Sequence, residues 1–149
     1  MKVQIVPLFV LILAGIGLLW ASCAPTQGIS GKILWVTGNQ MPGPEVTLDN
    51  GEPVNREVYV FEPTFLGDAT VIEGVFYDSL KTHLVAKIKS GPDGKFTVKL
   101  DPGRYSVFIR EPKGLFASQI ESDGCIQCLE VNTGRLTEIT IKINYTAAY

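Results

Sequence analysis

From Ile29 onward, apolar and polar residues alternate with a period of two between clusters of Gly, Pro, Asn and Asp, and no segment sustains a 3.6-residue apolar period. The pattern predicts strands and turns. It is cleanest from Leu136 to Tyr145, where Ile139, Ile141, Ile143 and Tyr145 alternate with Thr140, Lys142 and Asn144, so one face belongs to a core and the other to solvent. The same rule turns Phe96, Val98 and Leu100 inward on one strand and Tyr105, Val107 and Ile109 inward on the next.

The predicted elements follow in order. Ile29 to Thr37 is a first strand, and the Gly- and Pro-rich stretch after it is irregular. Glu57 to Glu62 is a second strand, ended by Pro63. Between Thr64 and His83, "ATVIEGVFYD" fits a strand and "YDSLKTH" a helical turn. Leu84–Lys89 and Lys95–Leu100 flank "SGPDG", a turn predicted to close a hairpin, with Asp93 as a turn residue rather than a calcium ligand. Residues 104–111 form a strand, Pro112 to Gly124 a loop, and Ile126–Val131 with Leu136–Tyr145 a last hairpin about Asn132-Thr133-Gly134. About seven short strands with such punctuation predict an all-β fold, a Greek-key β-sandwich.

The run from Gly94 to Ile109, "GKFTVKLDPGRYSVFI", together with the opening Ile29-Ser-Gly31-Lys-Ile33, resembles carboxypeptidase regulatory-like domains, whose block reads "DG.F.v.L.pG.Y.v.v" after an "I.G.V" strand. The resemblance covers Ile29 to Ile109 in broken form and implies a transthyretin-like (prealbumin-like) sandwich. It implies no peptidase activity, since these domains accompany catalytic domains or stand alone on bacterial surfaces. Within the block, Pro102-Gly103 makes a corner, and Tyr105 is placed to fold its ring inward while its hydroxyl bonds backbone near that corner.

Upstream the pattern changes. Lys2 precedes an unbroken apolar or Gly stretch of 13 residues from Leu8 to Trp20, the length of a signal-peptide core and short for a membrane span. Ala21 and Ser22 then lead to Cys23, an arrangement that resembles a bacterial lipoprotein lipobox, with Trp20 where an aliphatic residue is usual. That resemblance implies cleavage before Cys23 and a diacylglycerol on its sulfur. An uncleaved anchor helix and ordinary signal cleavage are the alternatives. Three cysteines leave one unpaired in an oxidising compartment, and lipid on Cys23 leaves Cys125 and Cys128 as an even pair. The expected organisation is a lipoprotein signal peptide over 1–22, a flexible tether over 23–28 and a β-sandwich domain over 29–149.

The net charge of −2, or −3 once Lys2 leaves with the leader, provides no basic footprint, so no nucleic-acid partner is expected. "GCIQCLE", residues 124–130, is the one stretch resembling an active motif. A thioredoxin-type pair needs a helix N-terminus to stabilise its thiolate, haem attachment needs His after the second Cys, and a structural zinc needs four ligands. Position 129 is Leu, the flanking residues are strand formers, and only His83 could join the cysteines without acids. A disulfide is expected, yet residues three apart in an extended strand stand about 10 Å apart, beyond the roughly 7 Å a bridge allows, so a turn or bulge at Ile126-Gln127 is required.

No catalytic set, cofactor or metal site is expected. His83, the sole histidine, lacks a nucleophile elbow, and Glu121, Asp123 and Asp78 are scattered acids. Phe65, Phe76, Tyr77 and Phe116 lie in the irregular segments and are candidates for a binding surface, or else for rings that cap the open ends of the sheets. The expected protein is a non-enzymatic module, lipid-anchored to a membrane of the bacterial cell envelope, contacting an envelope protein or glycan. A thiol-disulfide protein using Cys125 and Cys128 and a small-ligand carrier are the competing expectations.

Overall fold

The computed structural model describes residues 25–43 and 50–149. Cys23 and the leader lie outside the described residues. The described chain forms a two-sheet β-sandwich of eleven strands: β1 (Gly28–Trp35), β2 (Glu52–Pro53), β3 (Glu57–Phe61), β4 (Ala69–Glu73), β5 (Phe76–Leu80), β6 (Leu84–Lys89), β7 (Lys95–Lys99), β8 (Gly103–Glu111), β9 (Gly114–Phe116), β10 (Cys128–Val131) and β11 (Leu136–Ile143). A single 3-10 turn, Leu66–Asp68, is the only helical element among the described residues, and none of their helices could cross a membrane.

β1 is the centre of the four-stranded sheet. It runs parallel to β11, from Gly28 opposite Leu136 to Trp35 opposite Ile143. Its other edge takes β7 antiparallel along Gly28–Lys32 and the short β2 at Leu34 and Trp35. The seven-stranded sheet runs β4-β5-β9-β8-β3-β6, with β10 also paired to β8. β8 is shared out along its length: β3 covers Ser106–Ile109 on one edge, while β10 and β9 divide the other edge.

The period-two reading survives as the inner faces of the two sheets. Ile29, Ile33, Phe96, Val98, Ile141 and Ile143 from one sheet meet Val58, Val60, Val107, Ile109 and Phe116 from the other, all buried. Gly31 sits opposite Phe96, and a Cβ there would lie 2.6 Å from the ring, so the small residue in the opening motif makes space for the aromatic. Phe108 points the other way, into a second cluster with Tyr77, Leu115, Ala117 and Ile126 on the outer face of the larger sheet. Residues Ser106 to Ile109 are therefore buried on both faces.

Three expectations are corrected. Each predicted hairpin is a crossing between sheets: β6 pairs with β3 while β7 pairs with β1, and β10 pairs with β8 while β11 pairs with β1. Ile88 and Phe96, like Val131 and Ile141, face one core from opposite layers, so the intervening turns must change layer. The "SGPDG" turn remains tight, with Gly94 at φ 73°, its N–H bonded to Gly91 O and its carbonyl accepting from Ile33 N–H. In "YDSLKTH" the strand β5 replaces the helical turn, because Phe76 and Tyr77 bury on opposite faces as strand neighbours do. Residues 114–116 of the expected loop are strand β9. At the N-terminal end of the described residues, β1 begins at Gly28, and the Gln27 side chain donates to Leu100 O and accepts from Gly134 N–H, each at 2.9 Å.

Candidate functional site

The segment Ser118–Cys128 carries the densest local chemistry. It doubles back through a turn in which Gly124 N–H bonds Glu121 O, with Ile120 bridged to Ile126 and Phe65 bridged to Cys125. Cys125 and Cys128 are joined by a disulfide, with their Cα atoms 5.8 Å apart. Gln127 supplies the required bend, with the positive φ of 42° that residues other than Gly seldom adopt. Its amide is held on both sides, donating to Val107 O at 2.8 Å and accepting from Ser118 N–H at 3.3 Å. Ile126, between the cysteines, is thereby set into the outer-face cluster beside Phe108 and Tyr77.

Ser106 lies under the bridge, fully buried. Its Oγ accepts from Thr64 N–H at 2.9 Å and stands 3.1 Å from Cys128 Sγ and 3.9 Å from Cys125 Sγ. Among the described residues, no helix N-terminus supports either sulfur: β10 begins at Cys128, and the 3-10 turn touches this segment through Leu66 N–H to Gly124 O. Arg104 and Asp123 pair at 2.6 Å on the surface beside it, which draws the Asp123 carboxyl below its ordinary value, helped by Cys125 N–H.

The candidate aromatics separate. Phe76, Tyr77 and Phe116 are at most 2% exposed, so they pack the sheets and offer no binding surface. Burial pushes the Tyr77 phenol up. Phe65 alone is exposed, at 37%, beside exposed Leu66. His83 is also exposed and lies 3.1 Å from Glu62, whose carboxyl its hydrogen bond lowers. Asp93 takes the turn role expected of it, accepting from Lys95 N–H. Among the described residues, no group of three His, Cys, Asp or Glu side chains could hold a metal.

A polar cluster that the sequence reading missed lies where β8 ends, at Glu111. Glu111, with 1% of its side chain exposed, pairs with Arg56 at 2.6 Å and accepts from the Tyr145 hydroxyl at 2.9 Å. Arg56 also lies 5.7 Å over the Trp35 ring, and Trp35 meets Tyr145 edge to face. Burial first, then the Glu111 hydrogen bond, pushes the Tyr145 phenol up to about 12. The signal was in the alternation: the inward series 105, 107, 109 reaches Glu111 next, just as 139, 141, 143 reaches Tyr145. The arrangement ties β8, the start of β3 and the residues after β11 together, and its charges are already neutralised by one another.

No protein-family model matches the chain, and no curated protein matches it either.

Proposed function

We propose that the chain is a non-enzymatic, lipid-anchored module of the bacterial cell envelope, a carboxypeptidase-regulatory-like sandwich that acts by contact with a protein or glycan. The observation that carries this reading is the pinning of Gln27 between Leu100 and Gly134. Only three residues separate Cys23 from Gln27, and the four backbone steps reach at most about 14 Å. A lipid on Cys23 would therefore hold one end of the sandwich, with its Asp101–Gly103 corner and Asn132–Gly134 turn, close to the bilayer and present the rest outward. Two or three acyl chains suffice for stable attachment where one does not.

Contact rather than chemistry is favoured by how the reactive groups are engaged: Cys125 with Cys128, His83 with Glu62, Glu111 with Arg56 and Tyr145. The carrier reading draws little support, since Phe76, Phe96 and Phe116 occupy the space between the sheets and the depression of about 420 Å³ on the four-stranded sheet is an open, largely polar face.

The test is Cys23→Ser in the native host. The wild-type chain is expected in the detergent phase with acylated Cys23 as its first residue, and the variant in the aqueous phase or as uncut precursor. A processed variant that still partitions with membrane overturns lipid anchoring. Crosslinking of the lipidated protein in its own envelope is expected to capture a defined protein or glycan partner.

A further inference from the structure

We propose that the Cys125–Cys128 bridge is a reducible latch, attacked at Cys128 by an external dithiol, whose opening releases the Ser118–Gln127 segment from the outer face of the seven-stranded sheet. The inference holds whether or not Cys23 carries lipid.

Three observations lead to it. The two sulfurs are unequally accessible: Cys125 is fully buried, whereas Cys128 is 9% exposed and borders an open depression of about 500 Å³ with Gly103, Arg104, Glu121 and Glu130. Ser106 is a buried donor prepared for a thiolate. Its oxygen already accepts from Thr64 N–H, which leaves its own hydrogen for a sulfur, and both sulfurs are within reach. Finally, the bridge closes across a conformation with somewhere to go, since Gln127, between the cysteines, holds a φ of 42° that an open chain can relax toward the extended region.

The chemistry balances as an exchange. A thiolate of the dithiol attacks Cys128 Sγ, a new S–S bond forms between reductant and Cys128, and the Cys125–Cys128 bond breaks with Cys125 leaving as a thiolate near the Ser106 hydroxyl. The second thiol of the reductant then attacks its own partner sulfur and expels Cys128. Two electrons and two protons pass to the protein, and the reductant departs as a disulfide. With the bend released, Ile126 loses the constraint that sets it against Phe108 and Tyr77, and the outer-face cluster opens.

The rim also selects among reductants. Arg104 is paired with Asp123, and Glu121 and Glu130 leave the surroundings net negative. A cationic or neutral thiol is favoured over an anionic one.

The experiment measures native-state reduction by quenched alkylation and mass spectrometry over a dithiothreitol series. The expected rate is proportional to dithiol concentration and indifferent to urea below the unfolding transition. A rate that saturates at the global unfolding rate and carries its full urea dependence overturns the proposal. Cysteamine is expected to react about five-fold faster than mercaptoethanesulfonate at equal thiolate concentration, a gap that 0.5 M salt narrows; equal rates remove the rim argument.

With single-cysteine variants, Cys125→Ser should leave a thiol at Cys128 that forms a mixed disulfide with cystamine at least about ten-fold faster than the Cys125 thiol of Cys128→Ser, and the reverse order overturns the assigned direction. Should either variant fail to fold, the wild-type kinetics decide. Ser106→Ala should shift the pH profile of wild-type re-oxidation upward, which a purely structural serine would not do. Hydrogen exchange on the reduced protein should rise in Ile120–Gln127 while β1 and β11 stay protected.

Discussion

Glu111 faces Arg56 at 2.6 Å from a position that would otherwise belong to the apolar core, and Tyr145 covers its second oxygen. Removing one partner strands a charge in a buried place. Arg56→Ala is expected to destabilise by about 3 kcal/mol or more in urea unfolding, and Tyr145→Phe by about 1.5 kcal/mol. Replacing the pair together, Arg56→Met with Glu111→Leu, should restore much of the loss, which a double-mutant cycle reads directly.

Alkaline pH acts on the same cluster. The folded Tyr145 phenol titrates at about 12 against an ordinary value of 10, so folding favours its protonated form. That contribution is complete below pH 10 and is lost as pH rises from 10 toward 12, an effect of at most about 2 kcal/mol given the partial exposure of the ring. Unfolding free energy measured across this range should fall, and Tyr145→Phe should flatten the fall. Phenolate absorbance should show this tyrosine ionising after an exposed one.

The opening motif makes a packing prediction. A Cβ on Gly31 meets the Phe96 ring at 2.6 Å and Ile139 O at 2.8 Å, so Gly31→Ala should cost about 1–3 kcal/mol. Phe96→Leu, its own small cavity aside, should recover part of that cost in the double variant. A neutral Gly31→Ala would show that the ring moves aside freely.

At the Asp101–Gly103 corner, the Tyr105 hydroxyl donates to Asp101 O at 2.8 Å. Tyr105→Phe should lower stability by about 1 kcal/mol, and Tyr105→Ala by about 3 kcal/mol because the ring packs against the core. Thermal melts of the two variants separate the hydrogen bond from the ring.

What could be read from the residues was the face of each strand, and what could not was its partner. The alternation at Ile139, Ile141 and Ile143 fixes an inward face, but either sheet can supply the opposite wall, so the Asn132–Gly134 turn looks the same whether it closes a hairpin or crosses layers. Phe76 and Tyr77 were legible as apolar neighbours, while their burial on two faces depends on Ala117 and Ile126, which arrive from distant positions. The bend at Gln127 followed from disulfide geometry alone. Ser106 under the sulfurs had no local signature, since a serine in the middle of a strand is ordinary.

The pairing of β1 with β11 sets the timing of folding. Gly28 finds its parallel neighbour only at Leu136, so the four-stranded sheet cannot close before the last strand is made. Until then β1 has only β7 and the short β2 beside it, and its inner face lacks Ile141 and Ile143. The four-stranded layer therefore closes last, because its central contact joins nearly the two ends of the described chain, the kind of long-range pairing that loop-closure entropy makes slow.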